Sequence, residues 1–297
     1  MNNPPQIAQN YISIGEKKVK TEFIKTLILG MYAGLYIGLG ALCSSIASYN
    51  VTPEAIGRIF QGIVFPIGLY LVLCSGAELF TGNCLLIIPF LTKKITILEL
   101  LKSWLTVYLG NFIGSIFLCV LVCYGHILDL YEKKLAEVAV NLAYKKVNMS
   151  FGDAFVKGIL CNTLVCLSVW TSLGSKELSG KILALWPPIF LFVSCGMEHS
   201  IANMYFIPVG LMAKEEYNVD KNGLNWGMFF YKNLLPVTLG NICGGGIIVG
   251  IGYWFIYLKN DNSEEKENKN INSNEKYNNN MFNEKNMKQE EEKKTDI

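Results

Sequence analysis

Apolar positions in this chain gather into six long runs, at residues 26–53, 59–92, 103–128, 158–175, 182–213 and 233–258, with polar segments between them. Each is long enough for a helical span, which takes roughly 17–25 residues to cross a hydrocarbon core of ~30 Å. The pattern predicts an all-α polytopic membrane protein with six transmembrane helices. The second and fifth runs each hold about 32 residues, or ~48 Å of continuous helix at 1.5 Å per residue, too much for one straight span. Both are therefore expected to be broken helices.

The two long runs also carry the same polar insert. Gly76-Ala77-Glu78-Leu79-Phe80-Thr81-Gly82-Asn83 returns about 120 residues later as Gly196-Met197-Glu198-His199-Ser200-Ile201-Ala202-Asn203, keeping Gly, Glu and Asn in place. A second pair follows, Leu109-Gly110-Asn111 and Leu239-Gly240-Asn241. Such self-similarity marks a duplicated unit. With three spans per half, an odd number, the second half must start on the other side of the bilayer, so the halves form two inverted three-helix repeats. That arrangement places a substrate site near the midplane, where the broken helices meet.

Matched and unmatched positions then separate support from site. Glu78, Glu198, Asn83 and Asn203 recur in both halves, as expected of groups that hold a helix break together, whereas Leu79 and Thr81 differ from His199 and Ile201. The unmatched residues are the candidates for facing a solute. A lone histidine inside the membrane beside a break is a functional candidate, because an intramembrane polar group costs too much to keep without a use. Glycines at four-residue spacing, among them Gly30, Gly34 and Gly38, Gly110 and Gly114, and Gly240 and Gly244, predict close helix–helix contacts.

Composition excludes several classes. At 51% hydrophobic and 17% charged residues, the chain has too little polar surface for a soluble domain. Its net charge of +2 argues for no nucleic-acid partner. All nine cysteines lie in the apolar runs, with no CxxC pair and no disulfide framework, and neither a metal nor a cofactor is expected. The adjacent Glu198-His199 raises the thought of a hydrolase, but metalloprotease chemistry needs a second histidine four residues on, and the other histidine is His126. An enzyme is not expected; a membrane scaffold or receptor would not need two duplicated, polar breaks.

Residues 1–25 form a lysine-containing, polar N-terminal segment, 26–258 the transmembrane domain, and 259–297 an Asn/Lys/Glu-rich tail that cannot bury enough apolar surface to order itself. Both ends are placed in the cytoplasm and the protein in the cell membrane, multi-pass. Tyr131, Leu135, Val138, Ala139 and Leu142 fall on one face of a helix between the third and fourth spans. They predict an amphipathic helix that lies in the interface or caps the bundle.

The stretch Gly76 to Gly82 resembles the first signature of the formate/nitrite transporter family, and Gly158-Ile159-Leu160-Cys161-Asn162-Thr163-Leu164-Val165-Cys166-Leu167-Ser168 its second, departing at Thr163 and Ser168. Glu198 to Met204 followed by Ile207-Pro208, and Pro236-Val237-Thr238-Leu239-Gly240-Asn241, are most similar to the formate channel branch. The resemblance implies an aquaporin-like protomer in a homopentamer, with a substrate pathway through each protomer. It implies small monovalent weak-acid anions as substrates: formate first, then nitrite, hydrosulfide, lactate or acetate. By position it puts a break across Leu79 to Asn83, including Gly82, hydrophobic constrictions at Phe65, Leu69, Leu79 and Phe192, a vestibule lysine at Lys146, and pathway residues at Asn162 and Asn203.

A free anion in an apolar constriction would cost tens of kcal/mol by Born solvation. Protonating a carboxylate of pKa ~4 at pH 7 costs about 4 kcal/mol, after which the neutral acid passes easily. Protons are thus expected partners of transport beside the lipid bilayer, with Lys146 collecting the anion and Thr81 and His199 replacing the hydrogen bonds it had with water.

Overall fold

The computed structural model describes residues 1–259. The expected disordered tail lies outside the described residues, apart from Lys259. Every regular element among them is helical. In chain order they are α1 (Pro4–Lys20), α2 (Phe23–Ala47), α3 (Glu54–Ser75), α4 (Phe80–Leu91), α5 (Ile97–Tyr124), α6 (Lys134–Val147), α7 (Phe151–Ser172), α8 (Leu178–Ser194), α9 (Ser200–Glu216) and α10 (Trp226–Tyr257). Helices α2, α3, α5, α7 and α10 are long and apolar enough to cross a membrane, and α4 and α8 are shorter apolar helices. Their outer faces keep large apolar side chains exposed, among them Leu98, Leu105, Leu183 and Phe255. Such a face suits lipid or another apolar surface, not water.

Glycine decides how the longest helices cross. A Cβ on Gly34 would run into the Asn111 carbonyl, and one on Gly114 into that of Met31, so α2 and α5 touch backbone to backbone. The contact between α7 and α10 is built the same way: a Cβ at Gly240 would strike the Phe155 carbonyl and one at Gly244 that of Ile159. Close approach of this kind is the van der Waals packing that holds membrane helices together where lipid is as apolar as leucine.

Two helices lie outside the hydropathy pattern's apolar runs. Helix α1 starts with an Asn3/Gln6 capping box, each side chain taking the other's backbone N–H at 3.0 and 2.9 Å. Ile7, Ala8, Tyr11 and Gly15 are buried in the body of the protein. Lysines on the outer turns hide this short apolar stripe in any windowed average. Helix α6 is amphipathic as its spacing suggests, but its buried face is Leu135, Ala136, Val140, Ala143 and Val147, rotated from the expected stripe. The rotation follows from α9: a Cβ on Gly210 would meet Ala143 and the Ala139 carbonyl, so the alanine side of α6 is the side that fits. Tyr131 precedes the helix, stacked on Tyr49 at 4.1 Å between ring centroids.

Because Gly34 meets backbone, the pair cannot relax around a new methyl. Gly34→Ala is expected to destabilise the protein by about 1–3 kcal/mol, as overpacking does, read as a lowered midpoint of thermal unfolding in detergent, with Gly152→Ala, whose Cβ would meet nothing within 4 Å, unchanged.

Candidate functional site

Helix α3 stops at Ser75 because Gly76 turns left-handed (φ 74°), and α8 stops at Ser194, two residues before Gly196 does the same (φ 67°). A side chain at either position would be strained. After each turn the chain runs extended through Leu79 (φ −108°) or His199 (φ −111°), which occupy the N-caps of α4 and α9. Two helix ends inside an apolar bundle leave backbone groups without partners, and lipid offers none.

Two asparagines supply those partners. Asn111 on α5 accepts the Phe80 N–H at 2.9 Å and donates to the carbonyls of Glu78 and Gly30, both at 2.8 Å. Asn241 on α10 accepts the Ser200 N–H at 2.9 Å and donates to Glu198 at 3.0 Å and Gly158 at 2.8 Å. Each amide thus joins one turn to the neighbouring span. The repeated Leu-Gly-Asn was visible in the sequence, but its task needs the crossing of α2 with α5 and α7 with α10. Asn162, expected on the pathway, also serves backbone: its amide donates to the Thr81 carbonyl at 3.1 Å and the Asn241 carbonyl at 2.7 Å.

The carboxylates of the two turns are each neutralised. Glu78 meets Lys18 Nζ at 2.7 Å and the Asn83 amide at 2.8 Å. Glu198, 3% exposed, holds Lys146 Nζ at 2.8 and 3.0 Å and accepts from Asn203 at 2.7 Å. Lys18 comes from α1 and Lys146 from α6, the two helices that precede α2 and α7. Lys18 was outside the sequence-derived site; only the fold brings a residue 60 positions away to Glu78. Tyr11 of α1 reaches the Gly82 carbonyl at 3.4 Å. Burial pushes the Tyr11 phenol well above its usual value, so it stays a donor.

Between the turns sits a narrow apolar passage. Phe65, Leu69, Leu79, Phe192 and His199, with Ile37, Val165 and Ile189, enclose a void of about 10 Å³, room for no more than a water. Phe65 and Phe192 close it edge to face, with centroids 5.6 Å apart, and Phe192 stacks on the His199 ring at 6.0 Å. The four expected constriction residues therefore converge around the expected histidine. Next to this passage opens a vestibule of about 500 Å³, whose lining includes Phe65, Phe192, His199, Asn203 and Lys146.

His199 has its proton position set by the backbone. The Ala202 N–H donates to Nδ1 at 3.0 Å, so Nδ1 must be the bare nitrogen and Nε2 carries the hydrogen. Nε2 then donates to Thr81 Oγ1 at 2.9 Å, leaving the threonine hydroxyl proton free for another acceptor. A second proton on the ring would break the cap at Nδ1. The site thus offers one free neutral donor, the Thr81 hydroxyl oriented by His199 Nε2–H, at the edge of an apolar ring, and the buried Asn203 Oδ1 has no protein partner.

A helical membrane bundle with an apolar constriction, a polar centre and a vestibule is the architecture of a channel or transporter for small solutes. The family model described as formate/nitrite transporter matches residues 5–255, and the chain belongs to that family. A probable formate transporter of Methanothermobacter thermautotrophicus is 37% identical over 86% of this chain and 97% of its own length. A formate channel of Bacillus thuringiensis is 37% identical over 87% and 96%. Among solved structures, a pentameric formate channel with formate bound superposes with a TM-score of 0.72 at 33% identity, covering 80% of this chain and 98% of that one. Membership in a transporter family points away from an enzyme, and among the described residues no cluster of metal-ligating side chains occurs.

Loss of a bridging amide should be felt in the fold. Asn241→Leu leaves the Ser200 N–H and two carbonyls without their partner, each costing about 1–3 kcal/mol when buried. The expected result is loss of folded protein on size-exclusion chromatography, matched by Asn111→Leu and not by Thr163→Val.

Proposed function

We propose that this protein is a channel for small monovalent weak-acid anions, formate foremost, passing with a proton through the constriction of each protomer. The observation that carries the reading is the pairing of neutral His199 Nε2–H and Thr81 hydroxyl beside Phe65, Leu69, Leu79 and Phe192. An anion reaching this point from the vestibule exchanges water for the Thr81 hydroxyl, which His199 Nε2–H orients, while apolar walls penalise its charge. Taking up a proton at pH 7 costs a carboxylate of pKa ~4 about 4 kcal/mol, far below the cost of crossing as an ion. A void the size of one water favours formate over the bulkier lactate or acetate.

The geometry of the two turns supports the finer architecture. Gly76 and Gly196, Asn111 and Asn241, and the Lys18–Glu78–Asn83 and Lys146–Glu198–Asn203 groups correspond across the halves. We read these as two inverted repeats of an aquaporin-like protomer whose second and fifth spans are broken, with Lys18 and Lys146 on opposite approaches to the constriction. Relatives described as formate channels, one of them pentameric, support a homopentamer. The proposed location is the cell membrane, multi-pass, with residues 26–258 as the transport domain and both termini in the cytoplasm.

Radiolabelled formate uptake into proteoliposomes tests the reading. Saturable uptake that rises as external pH falls, with formate outcompeting nitrite, hydrosulfide, lactate and chloride, is expected. Flux of nitrite or hydrosulfide without formate would move the substrate within the family, and no weak-acid flux at all would overturn the function. His199→Phe is expected to cut formate flux by at least tenfold while the oligomer still elutes at its native size; unchanged pH-dependent flux would remove His199 from the pathway.

A further inference from the structure

The lysine expected to gather anions is not free to do so. Lys146 is buried and held by both oxygens of Glu198, so the pair presents little net charge to an arriving solute. The vestibule nevertheless has four basic side chains and two acidic ones in its lining: Arg58, Lys145, Lys146 and Lys157 against Glu54 and Glu198. Both carboxylates are taken, Glu198 by Lys146 and Glu54 by Arg58 at 2.8 Å. Lys145 and Lys157 have no carboxylate within ion-pair distance among the described residues.

Lys145 is exposed at the rim, but Lys157 is half-buried within the span of α7. A cationic group at such a position is costly unless it faces a partner or an aqueous cavity. Its backbone places it at the critical turn, because the Lys157 carbonyl accepts the Glu198 N–H at 3.4 Å. Arg58 enters the same turn from α3, where a Cβ on Gly196 would lie 2.8 Å from Nη1. Cations from two helices thus converge on the segment that ends in His199, and the one left without a counter-ion within the span is Lys157.

We propose that Lys157 is the positioning residue of an anion-staging site on the vestibule floor, which holds a small monocarboxylate such as formate next to the Gly196–His199 turn before it enters the constriction. Lys145 assists from the rim. The inference rests on the transport reading above and adds to it which side chain supplies the attraction. A low-dielectric cleft of one sign focuses field and raises the local concentration of an oppositely charged solute, an effect that salt screens.

The test is initial-rate formate uptake in proteoliposomes of the full chain, from 10 to 500 mM ionic strength at fixed pH. Lys157→Gln is expected to raise KM about three- to tenfold at low salt, with maximal rate within twofold of wild type, and to flatten the dependence on ionic strength. Lys157→Arg should restore both KM and salt slope, a rescue that a packing role for the lysine stem would not produce. Lys145→Gln should give a smaller shift in the same direction. If Lys157→Gln does not yield oligomer, Lys157→Met carries the same comparison with the stem retained. Wild-type KM and salt slope in the neutral variant would overturn the staging site and leave the transport reading intact; absence of formate, nitrite and hydrosulfide flux in the wild type would overturn both.

Discussion

The structure depends on one constraint: helix ends buried inside an apolar bundle must find hydrogen-bond partners within the protein. An unsatisfied peptide group in an apolar interior costs several kcal/mol, and this bundle has two interruptions facing each other. Asn111 and Asn241 meet the constraint with three bonds apiece. Close helix crossings at Gly30, Gly34, Gly240 and Gly244 bring those amides within reach, so the glycine pattern and the asparagine pattern are parts of one device. Removing the small residues would move the amides away from the turns, and removing the amides would leave the turns unsupported.

The same constraint governs charge. A carboxylate at each turn is tolerable because a lysine from outside the spans and an asparagine five residues along the chain complete its coordination. Pairing has a consequence for transport. Glu198 and Lys146 form a nearly neutral buried pair, so in the proposed transport reading the attraction of an anion falls to cations with no internal partner. His199 follows this logic: its cap on the Ala202 N–H holds the ring in one neutral tautomer, which suits a hydrogen-bond donor more than a reservoir of charge.

Much of the site could be read from residues alone. Duplication of Gly-x-Glu and Leu-Gly-Asn singled out Glu78, Glu198, Asn83 and Asn203, and a difference between the copies singled out His199. Thr81 was legible for the same reason, and it lies on His199 Nε2. Asn162 was legible only as part of a motif, and its side chain proves to span two carbonyls. Lys18 and Lys157 were not legible as site residues. One sits in a polar segment and the other at the edge of an apolar run, and neither has a sequence neighbour that announces its place.

Hydrophobic periodicity and repetition by themselves determined that this is a helical membrane protein with polar inserts in its second and fifth apolar runs, and the signature-like motifs carried its resemblance to the formate/nitrite transporter family. Those features are local, since span length and helix propensity depend on neighbours within a few turns. The tertiary structure decided which lysine neutralises which glutamate, which face of α6 is buried, that α1 packs into the body, and which nitrogen of His199 keeps its proton. Each of these depends on distances between segments far apart in sequence, which are set by backbone contacts at the glycine crossings.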